Sequence, residues 1–389
     1  MITHILTHLL RTAAVSLLAV SAITAAPLFE QVDVFTAGTE GYHTFRIPTI
    51  VTAPDGSLLV FAEARKENRS DPGGGDIDLV YKRSTNHGRT WTAVKVLDNP
   101  GEGWGASNPT PVTDRDTGKV WIIYNRWEPT HGTANSEPGT DNNQTWARHS
   151  SDNGRTWSSA VDLTRVARDY DNWGANFVGP GGAIQAADGR LLIPSAHRPD
   201  SYYVTISIGG FEGLTSLMRA YAIYSDDHGA TWKRGALVKA QTNENQLVEL
   251  ADGAIMMDAR QGAGDHRWLI LSKDGGETWT NPVPGQTVTR IAASIERFTL
   301  KSAGDDRNRI LWTGPKGPGR KQLVIRTSYD EGQTFRDEKI IYGGLAAYSD
   351  ITILKDKTVG VIWERGVSEG YQFVTFTRLD QSFLEGGSN

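Results

Sequence analysis

The sequence predicts an all-β fold, a six-bladed β-propeller with four antiparallel strands in each blade. Two repeats indicate it. One is the octad Ser-x-Asp-x-Gly-x-Thr-Trp, and the other is a pair of alternating apolar runs around a short turn. Repeats with a period of about 40–75 residues are typical of stacked units such as propeller blades. Five octads and six hairpins fit six such units.

The octads begin at Ser84, Ser150, Ser225, Ser272 and Ser328. The first copy has asparagine at the third position, and the last ends in phenylalanine. Asp152 of the second copy could be a catalytic acid or the first ligand of a calcium loop. A catalytic residue is needed only once, however, and the octads lack the bidentate glutamate of such a loop. We therefore interpret them as structural.

The hairpins are marked by turn residues between apolar runs. Asp-Gly between β-rich runs is among the strongest hairpin signals. The six predicted turns lie at Asp55-Gly56, Asp116-Thr117-Gly118, Asp188-Gly189 and Asp252-Gly253, and near Asp306 and Asp356.

The first unit indicates how the strands are ordered. Strand A is 46–52, strand B is 58–64, strand C is 76–84, and strand D, 92–97, follows the octad. The last unit has no octad and ends with strand C at 371–379. The N-terminal run 30–37 is therefore expected to supply its outer strand, which closes the ring and removes an exposed edge.

The sequence predicts a signal peptide, 1–26, followed by one propeller domain, 27–389. The N-terminus has one arginine, an apolar run and alanine-rich processing signals before Pro27. A short buried helix is the alternative, and the run is too short for a confident membrane span. Cysteine is absent, which excludes disulfides and a lipid-modified cysteine. We expect a secreted or periplasmic protein without a membrane span.

The charge balance limits the possible partners. The chain has 40 basic and 45 acidic residues and a net charge of −5, which argues against a nucleic-acid-binding protein. His43, His131 and His197 show no metal-ligand spacing, so neither a catalytic metal nor a cofactor is expected. We expect a monomer.

Polar residues are predicted to converge on one rim of the propeller. Hairpin tips and octads share one rim, so the starts of A strands, the ends of B strands and the B–C loops share the other. In an antiparallel hairpin the residue numbers of two directly opposed residues add to the same total at every pair. The Cβ atoms of such a pair lie roughly 5 Å apart. The pairs predicted on this basis are Arg46 with Arg65, Glu244 with Arg260, and Tyr348 with Glu364.

Arginines on this rim suggest that the ligand carries a carboxylate. The planar guanidinium pairs with such an anion through two hydrogen bonds and keeps its charge. Arg46, Arg260 and Arg320 are the candidates. The stretch "GPKGPGRKQ" resembles a phosphate loop only superficially, because Arg320 stands where lysine is required and two prolines remove amides.

These motifs together carry a family resemblance. "FRIP" at 45–48, the octads, "NENQLVELADGAIMMDAR" and "AAYSD" resemble the exo-α-sialidases (neuraminidases) of the bacterial and animal type. The resemblance runs from Phe45 to Glu364. It implies hydrolysis of terminal α-linked sialic acid from glycans, glycoproteins or glycolipids, with retention of configuration.

The resemblance also implies a role for each rim residue. Arg46, Arg260 and Arg320 bind the sialic acid carboxylate, Glu364 orients Arg46, and Arg65 lies beside the glycone. Asp71 is the acid/base, Tyr348 the nucleophile and Glu244 its partner. Apart from the resemblance, Trp104 and Trp127 are candidates for the floor of the pocket, although most of the twelve tryptophans are expected to lie in the core or in the octads.

Alternatives stay open for several of these residues. Tyr348 could be an aromatic residue that merely packs, and Asp71 could be a turn residue with Asp76 and Asp78 as competitors. Arg65 and Glu364 could form a structural ion pair.

The chemistry of a sialoside explains the choice of a tyrosine. Its anomeric carbon already bears a carboxylate, so an anionic nucleophile would be repelled. A neutral tyrosine avoids this repulsion if a carboxylate such as Glu244 takes its proton. Sialidases with a tyrosine nucleophile are one of the known exceptions to the two-carboxylate glycosidases. The alternatives are a sialoglycan-binding propeller without catalysis and a transferase of the trans-sialidase type.

Overall fold

The computed structural model describes residues 26–200, 203–208 and 211–386, with the backbone alone for 203–208 and 211–216. The predicted signal peptide, 1–26, lies outside the described residues except for Ala26. In the part of the chain that is described, no helix is long and apolar enough to cross a membrane.

The described residues form an almost entirely β structure. Its helices are α1 (Thr164–Ala167), α2 (Gln381–Glu385) and a 3₁₀ turn, Lys301–Ala303. The strands are β1 (Phe29–Thr36), β2 (Thr44–Thr52), β3 (Leu58–Arg65), β4 (Ile77–Ser84), β5 (Lys95–Asp98), β6 (Gly105–Asp114), β7 (Lys119–Trp127), β8 (Asn143–Ser150), β9 (Val161–Asp162), β10 (Trp173–Val178), β11 (Ile184–Gln185), β12 (Leu191–Pro199), β13 (Tyr203–Ile208), β14 (Phe211–Ser216), β15 (Arg219–Ser225), β16 (Lys233–Arg234), β17 (Thr242–Glu249), β18 (Ile255–Gln261), β19 (His266–Ser272), β20 (Val283–Thr287), β21 (Ser294–Thr299), β22 (Arg309–Pro315), β23 (Lys321–Ser328), β24 (Arg336–Ile353), β25 (Val359–Gly366) and β26 (Phe373–Leu379).

Antiparallel pairing joins these strands in consecutive groups of four. The groups are β2-β3-β4-β5, β6-β7-β8-β9, β10-β12-β15-β16, β17-β18-β19-β20, β21-β22-β23 with the first half of β24, and the second half of β24 with β25, β26 and β1. In the last group the N-terminal strand β1 pairs with β26, so that Phe29 lies opposite Leu379. The hairpin β13-β14 stands apart as a two-stranded sheet.

Apolar cores lie between neighbouring groups. The cluster with Leu59 and Ile122 joins groups one and two, and the cluster with Ile123 and Ile193 joins groups two and three. Three further clusters continue this order from group three to group six. A cluster with Phe45 and Phe376 joins group six to group one. Each sheet therefore buries both of its faces against its neighbours.

Polar contacts link the inner strands in the same order. Thr113 donates to the Thr52 carbonyl at 2.8 Å, and Asn108 to that of Val178 at 3.0 Å. Gln246 donates to the Pro180 carbonyl and accepts from Ile295 N, at 3.1 and 3.0 Å. Ile351 N donates to Ser294 Oγ at 3.0 Å, and Ile50 N to Asp350 Oδ2 at 3.0 Å. Residues of all six groups line one cavity of about 830 Å³.

The inner strands carry bulges near their starts, and these alter the predicted register. Arg46 lies opposite Glu63, not Arg65. On the turn side Thr49 lies opposite Phe61, one position from the expected partner, and the shift between Arg46 and Thr49 moves the pairing by one more position. Ile47 has a φ of 52° at this shift. The predicted pairing of Arg46 with Arg65 is therefore wrong by two positions. Register shifts also surround Glu244 and Tyr348.

The octads are structural turns. In the second copy Ser150 Oγ accepts from Gly154 N at 2.8 Å. The Asp152 carboxylate accepts from Thr156 N and Thr156 Oγ1, at 2.8 and 2.6 Å. Gly154 has a φ of 77°, and a Cβ there would lie 2.5 Å from Leu59 of the preceding group. Only glycine fits this close approach.

Three octads, those that begin at Ser150, Ser225 and Ser328, also contact the hairpin turn of the preceding group. Asn153 accepts from Asp55 N at 3.1 Å, and Glu331 accepts from Ala251 N at 2.8 Å. His228 Nδ1 lies 3.2 Å from Asp114 Oδ2. The octads and hairpin tips therefore share one rim and brace neighbouring groups there.

We expect Asp152→Asn to preserve the turn and Asp152→Ala to lose it. Asn86 occupies the same place in the first octad, accepting from Thr90 N and donating to Thr90 Oγ1, both at 2.9 Å. Asp152→Ala should lower the melting temperature by about 1–2 °C, the effect of roughly 1 kcal/mol in a domain of this size. Differential scanning calorimetry at pH 7 measures this, with exposed Asp171→Ala as the control.

The stability of Asp152→Asn should also depend on pH differently from that of the wild type. The hydrogen bonds from Thr156 lower the pKa of Asp152 to about 2. A depressed pKa gives stability that is present above the unfolded value near 4 and is lost as the pH falls toward 2. Asp152→Asn should remove this part of the acid sensitivity. An unchanged acid profile would contradict the assignment.

Candidate active site

The rim opposite the octads brings together the charged residues predicted from the sequence. They come from the starts of inner strands, the ends of second strands and the loops that follow. The residues that meet there are Arg46, Arg65, Asp71, Glu244, Arg260, Arg320, Tyr348 and Glu364.

Glu364 is buried and holds Arg46. Arg46 Nε donates to Glu364 Oε1 at 2.8 Å, and Nη2 to Oε2 at 3.4 Å. The same carboxylate accepts from the backbone N–H groups of Ile47, at 2.9 Å, and Tyr348, at 3.1 Å. Glu364 is 1% exposed and Arg46 6% exposed. The remaining nitrogen of Arg46, Nη1, is left for the site.

Tyr348 is hydrogen-bonded to a carboxylate. Its hydroxyl donates to Glu244 Oε1, and Arg260 Nη1 contacts the other oxygen of Glu244. Arg260 Nη1 also lies 3.2 Å from Tyr348 Oη. The predicted meeting of Glu244 and Arg260 is confirmed, although Glu244 lies within a register shift.

The surroundings of Tyr348 keep its phenol neutral. Burial raises its pKa well above the ordinary value, and the Glu244 carboxylate raises it further, while Arg260 and Arg320 act in the opposite direction. The net shift is upward, so the resting state is a neutral phenol donating to a carboxylate.

Asp71 lies beside two arginines on a glycine-rich loop. Arg65 Nη2 donates to Asp71 Oδ1 at 3.0 Å, and Arg46 Nη1 lies 3.9 Å from the same oxygen. The Asp71 side chain is 81% exposed, so solvent and a ligand can both reach it.

The two competing aspartates of this loop have other partners. Asp76 pairs with Lys66 at 3.5 Å, and Asp78 accepts from Tyr42 Oη at 2.8 Å. Asp71 is the member of the three that reaches the arginines.

Arg320 completes the group of three arginines. Its Nη1 donates to the hydroxyl of Tyr371 at 2.6 Å, and its Cζ lies 5.5 Å from the centre of the Tyr348 ring. A cavity of about 250 Å³ adjoins it, lined also by Arg69, Ala347 and Tyr371.

Trp127 does not line an open pocket, contrary to the expectation. It is 2% exposed, its indole N–H donates to Ser107 Oγ at 2.7 Å, and it packs in a core cluster with Phe177 and Met218. The Trp127 ring packs between the second and third groups of strands and is not available to a ligand. Trp104 is half-buried.

Two residues of the site were missed in the sequence. Glu63 is buried, and its Oε2 accepts from Arg65 Nη2 at 2.6 Å while Oε1 accepts from Asn108 N at 3.0 Å. Glu63 ends a second strand as Glu364 does, so comparison of the repeats could have found it. Tyr371 lies in a loop, where no repeat marks it.

A possible cation site lies elsewhere, on the octad rim. Asp114, Asp116 and His228 place ligand atoms within 4.8 Å of one another. Gln185 Nε2 already donates to both carboxylates, at 2.9 Å each. The absence of a catalytic metal stays a prediction.

Comparison with known proteins identifies the family. Residues 56–361 match the BNR repeat-like domain. The chain is 32% identical over 360 residues to a sialidase of Micromonospora viridifaciens, covering 89% of this chain and 53% of that protein. It is 31% identical over 406 residues to Sialidase-3 of Bos taurus, covering 90% and 91%. The structure is similar to Hadza microbial sialidase Hz136, with a TM-score of 0.79 and 26% identity over 90% of this chain and 68% of that one.

These matches and the site together define the class. The chain belongs to the sialidase family and carries its BNR repeat-like domain. The chain spans about half the length of the Micromonospora sialidase.

We predict that Glu244→Gln lowers the pKa of Tyr348. The substitution removes the anion that raises this pKa, while Arg260 and Arg320, which lower it, remain. A pH titration by NMR of ¹³Cζ-tyrosine-labelled protein measures the shift, with Tyr348→Phe to assign the signal.

Glu249→Gln is the matched control, because Glu249 ends the same strand and accepts from Ala187 N at 2.9 Å instead. It should leave the Tyr348 signal unchanged. A Tyr348 pKa that rises or stays constant in Glu244→Gln would contradict the electrostatic description.

Proposed function

We propose that this protein is an exo-α-sialidase that hydrolyses terminal α-linked sialic acid with retention, through a tyrosyl intermediate. The contact of the Tyr348 hydroxyl with the Glu244 carboxylate, beside three arginines, carries this proposal. The membership in the sialidase family supports the substrate.

The three arginines form a clamp for the carboxylate of sialic acid. The guanidinium carbons of Arg46 and Arg320 lie 5.7 and 5.5 Å from the centre of the Tyr348 ring. Arg260 Nη1 lies 3.2 Å from the Tyr348 hydroxyl oxygen. A charge-assisted hydrogen bond contributes about 1.5–3 kcal/mol. Two of the arginines already pair with glutamates, which fix their orientation and leave edges for the ligand.

In the first step the Tyr348 oxygen attacks the anomeric carbon and its proton passes to Glu244. The bond from the anomeric carbon to the leaving oxygen breaks as Asp71 protonates that oxygen. The neutral phenol suits this attack because the anomeric carbon bears an anionic carboxylate.

The second step reverses these proton transfers. Asp71, now ionised, takes a proton from water as the water oxygen attacks the anomeric carbon. The bond to the Tyr348 oxygen breaks, and Glu244 returns the proton to the phenol. Two displacements on opposite faces retain the configuration.

The fold that carries this site is, in our proposal, a closed six-bladed propeller. Its support is the six groups of four strands, the apolar cores between neighbouring groups and the pairing of β1 with β26. We further propose that residues 1–26 direct secretion or export to the periplasm, where sialylated glycans are the substrates.

We expect a 3-fluorosialosyl fluoride to label Tyr348. Fluorine at C3 slows both steps, and the fluoride leaving group restores the first, so the intermediate accumulates. Intact mass spectrometry should show one added fluorosialyl group, and proteolysis should place it in the peptide that contains "GGLAAYSDITILK". Hydrolysis of a fluorogenic sialoside measures activity in parallel.

Tyr348→Phe should abolish labelling and hydrolysis, whereas Tyr329→Phe, which removes a surface hydroxyl bonded to Asp337, should change neither. Labelling of Asp71 or Glu244 would contradict the tyrosyl mechanism. Binding of sialosides without hydrolysis or labelling would indicate a glycan-binding propeller, and transfer to an added sugar would indicate a transferase.

A further inference from the structure

We infer that Tyr371 is a positioning residue that orients two of the three clamp arginines, Arg46 and Arg320. The inference rests on the proposed function, because it concerns the binding of a carboxylate at that site. Tyr371 lies in the loop between β25 and β26 of the sixth group, whereas Arg46 begins the first group and Arg320 belongs to the fifth.

Tyr371 contacts both arginines with different parts of its side chain. The Arg46 guanidinium carbon lies 3.9 Å from the centre of the Tyr371 ring, which is stacking distance. The Tyr371 hydroxyl accepts from Arg320 Nη1 at 2.6 Å. One side chain thus sets the separation and the orientation of two guanidinium groups from different groups of strands.

Arg320 depends on this contact more than the other two arginines depend on theirs. Arg46 pairs with Glu364 at 2.8 Å, and Arg260 pairs with Glu244. Within the described residues the Arg320 side chain has no carboxylate partner, and its side-chain hydrogen bond is the one to Tyr371. Without the phenol, the flexible Arg320 side chain would lose its fixed position.

A phenol is well suited to this task. Two glutamates already offset the charges of Arg46 and Arg260. A third carboxylate, next to Arg320, would offset the positive charge that remains for the substrate, whereas a hydroxyl orients the guanidinium and leaves its charge available. The Tyr371 ring covers one face of the Arg46 guanidinium, and Glu364 binds its Nε edge. The Nη1 nitrogen of Arg46 therefore remains for a ligand.

The backbone at Tyr371 is unusual and is held in place. Its φ is 67°, in the left-handed region that bulky residues rarely adopt. Gln372 Oε1 accepts from Val367 N at 2.6 Å and from Ser368 N at 3.0 Å, which ties the loop together. Strained conformations of this kind persist where the surroundings impose them, often at functional sites.

The test compares Tyr371→Phe in the wild type and in an Arg320→Ala background. Isothermal titration with 2,3-didehydro-2-deoxy-N-acetylneuraminic acid measures binding of the carboxylate, independently of turnover. In the wild-type background Tyr371→Phe should weaken binding roughly tenfold, as expected for the loss of a hydrogen bond to a charged group. In the Arg320→Ala background it should have less than about a twofold effect, because the two residues act together.

Two controls separate positioning from a general loss of structure. Tyr329→Phe removes a hydroxyl bonded to Asp337 at 2.6 Å and should bind as the wild type does. Tyr371→Leu removes the ring as well and should bind more weakly than Tyr371→Phe, because Arg46 loses its stacking partner. All variants should retain a wild-type melting temperature within about 2 °C.

The inference is overturned if Tyr371→Phe binds as tightly as the wild type, or if its effect is equally large in the Arg320→Ala background. A wild type that binds this ligand but hydrolyses no sialoside would contradict the proposed function and leave the coupling measurable. A wild type that does not bind the ligand would overturn both.

Discussion

The site depends first on the buried carboxylate of Glu364. Four donors reach it: two nitrogens of Arg46 and the backbone N–H groups of Ile47 and Tyr348. An ionised carboxylate that is 1% exposed is tolerable only when it is paired and hydrogen-bonded in this way. The Glu364 carboxylate therefore fixes Arg46, the bulge near the start of β2 and the backbone of Tyr348. Arg46 and Tyr348 belong to two different groups of strands.

The same device recurs around the inner strands. Glu63 accepts from Asn108 N of the next group, and Asp350 accepts from Ile50 N, Gln246 and Ser294 of three other groups. Burial raises the pKa of Asp350 to about 7. Bulges in the inner strands contain Ile47, Tyr348 and Asn108, whose N–H groups donate to Glu364 and Glu63. These hydrogen bonds orient the rim residues without a ligand, which suits a site that must hold an anion beside a neutral nucleophile.

Much of this arrangement could be predicted because it repeats. Asp-Gly turns and octads report local backbone chemistry, so the hairpins and the structural role of Asp152 could be inferred from short stretches. The choice of Tyr348, Glu244 and the arginines came from the resemblance to sialidases together with the rim that the hairpins define.

The errors have a common cause in tertiary contacts. The bulge after Arg46 is stabilised by Glu364, which is 318 residues away, so a count within the hairpin paired Arg46 with the wrong residue. Trp127 is buried because a neighbouring sheet covers it. Tyr371 lies in a loop whose conformation depends on the arginines and on Gln372, and no local pattern predicts it.

In the proposed mechanism Tyr348 attacks the anomeric carbon first and water attacks it second. A ¹H NMR time course of sialyllactose hydrolysis tests it most directly, because the two anomers of sialic acid have separate H3 signals and interconvert slowly. We expect the α-anomer to appear first and the β-anomer to follow by mutarotation. Initial release of the β-anomer would show a single displacement by water and would contradict the tyrosyl intermediate.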